Sequence, residues 1–183
     1  MYPAIELTTA LLVTAGAARF SDLGAAIVVP ALLSVMPAVA LIDLRHKIIP
    51  NRLMYPSLIG FPVAIVVARL LGSDLDPLRG LIGLAVYGGG LLIVALVSGG
   101  MGMGDVKLAG VIGAVLGALG LRFVAVAAAA GVLIGGLVAI GALVAGRGRK
   151  SAIPFGPSIA AGAVVAVFAG GLIASWYLGT VGA

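Results

Sequence analysis

The chain has 183 residues, 62% of them hydrophobic and 9% charged, with six acids against eleven Lys and Arg for a net charge of +5. Soluble domains use about 25% charged residues, so a chain of mean hydropathy +1.29 cannot dress a water-facing surface and reads as a polytopic α-helical membrane protein. The absence of cysteine removes disulfides and thiol chemistry, a lone histidine (His46) disfavours a structural zinc site, and basic residues scattered singly or in short loops fit membrane anchoring rather than nucleic-acid binding.

Seven apolar segments, all predicted helical, fall at about 4–19, 24–42, 53–71, 81–98, 105–120, 123–146 and 157–179. The first has neither the basic start nor the small-residue cleavage site of a secretory signal, so it is expected to stay. The first and fifth are shorter than the roughly 20 residues a bilayer crossing needs, and are expected to tilt, break or lie partly in an interface. The fold class is therefore all-α: a bundle of six to seven spans forming a single domain over 1–183, with no soluble module or linker.

The second segment ends in LIDLRHKIIPN. Pro50 disfavours helix in the residue before it, and Asn51 is expected to cap the third segment. Between the fourth and fifth segments lie Gly99, Gly100, Gly102 and Gly104, where glycine permits positive φ and close backbone approach. Irregular backbone at membrane depth persists only against protein or water, so this stretch is expected to line a hydrated cavity. Asp105 follows it, near the amino end of a helix whose macrodipole favours an anion. Gly113 with Gly117, and Gly131 with Gly135, have the four-residue spacing of close helix packing. General drift toward small residues is the alternative reading.

Loop charge sets an expected orientation. The 43–52 loop carries Arg45, Lys47 and Arg52, the 147–150 loop carries Arg147, Arg149 and Lys150, and the 72–80 loop has Asp74 and Asp76 against Arg79. Basic loops stay in the cytoplasm. Two spans separate Asp43 from Asp105, so parity puts both carboxylates on the cytoplasmic face.

Those two acids need a reason. Glu6, Asp22, Asp74 and Asp76 fit termini or turns, whereas Asp43 and Asp105 adjoin apolar spans, where an ionisable group implies function by default. Two carboxylates converging on one water can hydrolyse an amide: one takes a proton from water, and the other, protonated, polarises the scissile carbonyl. Such a pair shares a proton and titrates as a unit. The plainer alternatives are a loop charge balanced by Arg45 or Lys47, and a helix-start acid balanced by Lys107. A small transporter binding a cation or proton at paired acids in a broken helix is the competing function.

Three segments in order, IDLRHKIIPNRL, GGMGMGDVKLAGVIGAVLG and IPFGPSIAAGA from Ile153 to Ala163, resemble the type IV prepilin peptidases, members of the GxGD intramembrane aspartyl proteases. The similarity spans roughly residues 24–179. It implies an aspartic endopeptidase of the cytoplasmic (inner) membrane that removes the short basic leader from prepilin or pseudopilin precursors of pili and secretion systems. Asp43 and Asp105 are then the catalytic dyad, and Gly102 and Gly104 the motif glycines that shape the approach to Asp105. Longer members carry an additional amino-terminal region with paired cysteines that hold zinc, associated with N-methylation of the new terminus. Nothing comparable is present in this sequence, so peptidase without methyltransferase is expected, with no metal and no cofactor. Lys107 can bind a substrate carbonyl or serve as a snorkelling anchor. Pro154, Gly156 and Pro157 can shape a substrate cleft or simply break a helix. His46 reads as a solvated loop residue.

Overall fold

A computed structural model describes residues 3–146 and 154–181. Arg147, Arg149, Lys150 and Ile153 lie outside the described residues, and with them the second basic loop. The elements, in order, are α1 (Pro3–Ala18), α2 (Leu23–His46), α3 (Asn51–Leu70), α4 (Pro77–Ser98), α5 (Met103–Leu119), α6 (Leu121–Val144) and α7 (Gly156–Val181). The described residues contain no strand, as the composition requires. Five helices (α2, α3, α4, α6 and α7) are long and apolar enough to cross a bilayer, while α1 and α5, with 16 and 17 residues, fall short.

The acids assigned to turns do what short polar side chains do at helix starts. Asp22 caps α2 by accepting from the Ala25 amide at 2.7 Å. It also accepts from the Ser73 hydroxyl at 2.6 Å and the Asp74 amide at 3.2 Å, which ties the start of α2 to the α3–α4 connection. The Ser73 bond in particular holds the Asp22 carboxyl below its ordinary range. Asp76 caps α4 and pairs with Arg79 at 3.2 Å.

The short helix is the centre of the bundle. In α5, Val106 and every residue from Leu108 to Ala118 are buried, and α5 packs against α2, α3, α4, α6 and α7. Its tightest neighbour is α4. A Cβ on Gly113 would run into the Gly83 carbonyl, and one on Gly83 would lie 2.9 Å from the Gly117 Cα. The Gly113 and Gly117 spacing is therefore a packing seam in which backbones touch. A second seam joins α6 to α7, where a Cβ on Gly162 would lie 2.7 Å from the Gly131 amide nitrogen.

Three local expectations are corrected. Helix α2 continues four residues past the predicted end at 42, so Asp43, Arg45 and His46 are helical and the turn shrinks to 47–50. Lys47 ends it in the left-handed region at φ 54°, where its amide still bonds the Asp43 carbonyl. Asn51 does not cap α3: Pro50 occupies the cap position without a side-chain bond, and Asn51 is the first helical residue. Arg79 belongs to α4 rather than to a loop.

Candidate active site

Four pieces of chain meet at one end of the bundle: the last turn of α2, the 47–50 turn with the start of α3, the first turn of α5, and the start of α7. Asp43, one turn before the end of α2, is 4% exposed. A buried carboxylate needs donors. Asp43 has the backbone amide of Gly156, which donates to its Oδ2 at 2.9 Å. Glycine at 156 is a steric demand, since a Cβ there would sit 2.6 Å from the same oxygen.

Asp105 lies in the first turn of α5, behind a Gly102 cap, with its amide bonded to the Gly102 carbonyl at 3.1 Å. It is half-buried. The α5 start can settle against the 47–50 turn because residue 104 has no side chain: a Cβ on Gly104 would be 2.7 Å from the Ile49 Cβ. Gly102 is different. It has φ −71°, open to any residue, and a Cβ there would meet Asp105 Oδ2 at an ordinary 3.6 Å.

Asp43 and Asp105 line one cleft of about 260 Å³. Gly102, Gly104 and Lys107 line it too. Gly156 reaches it through Asp43, whereas Pro154 and Pro157 flank the α7 start without lining the cavity. Lys107 turns its ammonium toward α3, donating to Asn51 Oδ1 at 2.6 Å and to the Tyr55 hydroxyl oxygen at 3.2 Å. It forms no ion pair with Asp105. Ile49, Asn51 and Tyr55 were not among the expected site residues. Asn51 and Tyr55 stand at i and i+4 on one face of α3, a spacing that could have marked them, but only with their partner across the cleft in view.

The fold and site define a class: a multi-pass helical membrane protein with two carboxylates in a polar cleft at one end of its bundle. Residues 30–175 match the model of the type IV leader peptidase family, and the chain belongs to that family. The prepilin leader peptidase/N-methyltransferase of Bacillus subtilis (strain 168) is 40% identical over 187 residues, covering 97% of this chain and 70% of that protein. Proteins of the same description from Aeromonas salmonicida (strain A449) and Burkholderia pseudomallei (strain K96243) are 32% and 33% identical, and the chain covers 62% and 55% of their respective lengths. No solved structure matches. The chain is thus a membrane-embedded leader peptidase, a hydrolase, and the transporter alternative gives way to that assignment.

Proposed function

We propose that the chain is an aspartic endopeptidase that removes the short basic leader from type IV prepilin or pilin-like precursors, with Asp43 and Asp105 as its catalytic pair. The observation that carries this reading is the convergence of two acids, 62 positions apart in sequence, on one cleft at one end of the bundle. The site faces the cytoplasm of the inner membrane. Supporting that side are Arg45, Lys47 and Arg52, which cluster at the cleft end of α2 and α3, since basic residues are retained in the cytoplasm.

Hydrolysis needs one water and one shared proton. The ionised carboxylate takes a proton from water as its oxygen adds to the scissile carbonyl, while the protonated carboxyl donates to the carbonyl oxygen. When the tetrahedral gem-diol collapses, the C–N bond breaks and the amine nitrogen takes the proton gained from water, while one diol hydroxyl returns its proton to the other carboxylate as the new carboxyl C=O forms. Water has then been divided between the new carboxyl and amino termini, and the pair again holds one proton. The bond being cut must be extended, because helical carbonyls are already hydrogen-bonded. The reading covers peptide-bond cleavage alone and assigns no methyl transfer to these residues.

The test is purified chain in proteoliposomes with a prepilin precursor, read by loss of the leader on a gel. Asp43→Asn and Asp105→Asn preserve size and hydrogen bonding but cannot exchange a proton. Each is expected to lower the rate by at least about 10³-fold, in line with the non-additive behaviour of catalytic groups acting as a unit. Cleavage that persists in both variants refutes the pair.

A further inference from the structure

The contact between Lys107 and α3 has a chemical direction. An ammonium offers three N–H donors and no acceptor. Its 2.6 Å partner on Asn51 must therefore be the carboxamide oxygen, which leaves the Asn51 NH2 pointing away from Lys107. The same logic holds at Tyr55, whose hydroxyl oxygen accepts at 3.2 Å and whose ring lies 4.3 Å from the ammonium. Lys107 thus pins an amide that could otherwise flip. Asn51 is exposed, lines the acid cleft and has no capping duty on its own helix.

An extended peptide entering this cleft brings main-chain carbonyls with no partners of their own, and at the edge of a membrane such groups must find donors. Asp43 and Asp105 are acceptors when ionised. We infer that Asn51, oriented by Lys107, is a main-chain subsite: its Nδ2 donates to a carbonyl oxygen of the bound peptide, and Lys107 is a positioning residue acting through it. The Lys107 ammonium is engaged by Asn51 and Tyr55 rather than by either acid, so the subsite is assigned to binding rather than to the chemical step. This inference rests on the reading of Asp43 and Asp105 as the catalytic pair.

The experiment measures KM and kcat for leader cleavage by the reconstituted chain carrying Asn51→Leu, Lys107→Met, both together, or Lys107→Arg, with Asp105→Asn alongside. Losing one net hydrogen bond corresponds to roughly tenfold in binding. Asn51→Leu is expected to raise KM about tenfold with kcat within about threefold of wild type. Lys107→Met should raise KM by a similar or smaller factor, the double variant should be no worse than Asn51→Leu, and Lys107→Arg should recover most of the loss. In the inactive Asp105→Asn background, Asn51→Leu should weaken binding of a fluorescent precursor peptide by the same factor, which separates binding from misfolding. Unchanged KM and peptide affinity in Asn51→Leu, additive losses in the double variant, or Lys107→Arg no better than Lys107→Met overturns the subsite. If Asp105→Asn cleaves normally, the catalytic pair itself fails and the subsite falls with it. Dead acid variants beside a normal Asn51→Leu reject the subsite alone.

Discussion

Gly156→Ala places one methyl group where the structure has none to spare. The added Cβ would lie 2.6 Å from Asp43 Oδ2, 3.1 Å from its Cγ and 3.2 Å from Ile49 Cδ1, whereas ordinary contact begins near 3.4 Å. The carboxylate must therefore retreat by about 0.8 Å or swing away from the Gly156 amide that donates to it at 2.9 Å. Misplacing a reacting group by about 1 Å costs on the order of 10² in rate. Losing a hydrogen bond to a charged acceptor is worth about 1.5–3 kcal/mol, or roughly 10- to 150-fold. Both effects fall on one carboxylate and overlap, so we expect kcat to drop about 100-fold with KM within a few-fold. The assay is single-turnover cleavage of a prepilin in proteoliposomes, with thermal unfolding in detergent as the control. Wild-type kcat in a folded Gly156→Ala enzyme would refute the claim that the start of α7 sets the position of Asp43.

Further expectations follow from the same contacts. Gly104→Ala must displace Ile49 at its branched Cβ and should cost about 1–3 kcal/mol of stability, while Gly102→Ala, with 3.6 Å of room, should melt with wild type; paired thermal unfolding curves decide. Gly83→Val forces a side chain into the α5 backbone and should leave little folded protein by size-exclusion chromatography. Asp22→Ala removes a helix cap worth about 1 kcal/mol together with the acceptor for Ser73. Because the folded-state pKa of Asp22 lies below its ordinary value of 3.8, its stabilisation is present above that value and fades as pH falls through the lowered one. The gap in melting temperature between wild type and Asp22→Asn should accordingly narrow on acidification.

Much of this architecture was legible because membrane chains are written in blunt terms. Length of apolar run, position of glycine and scarcity of charge locate the seven described helices, the two short ones among them, and single out the two acids that the structure brings to one cleft. The errors are equally physical. Asn51 has the side chain of a cap, but Lys107, 56 positions away, competes for its oxygen. The polar residues after Ile42 read as loop in the sequence, whereas in the structure α2 carries its last polar turn onward until Lys47 turns left-handed. Gly156 could be quoted as part of a motif, yet its amide meets Asp43 across 113 positions of chain, and no local pattern encodes such a meeting. Gly102 stays unexplained by packing, since its backbone and surroundings would accept a side chain.

The shortness of α5 bears directly on where the acids sit. Gly83 lies against Gly113 and Gly117, and Gly88 against Gly110 and Val106. Continuing that antiparallel register brings Asp105 level with the stretch of α4 from Leu91 to Ile93. Helix α4 then runs on through Val94, Leu96 and Val97, all exposed apolar residues, before ending at Ser98. At 1.5 Å per residue the carboxylate is recessed by about 8–10 Å below the end of its neighbour. A full-length α5 would have carried Asp105 out to the level of that helix end. Holding it back places the acid beside side chains that belong in lipid, with the glycine-rich 99–102 segment descending to meet it as irregular backbone against a polar cleft. Under the role proposed for Asp43 and Asp105, a recess of this depth brings the acids to the level at which a substrate's hydrophobic segment begins.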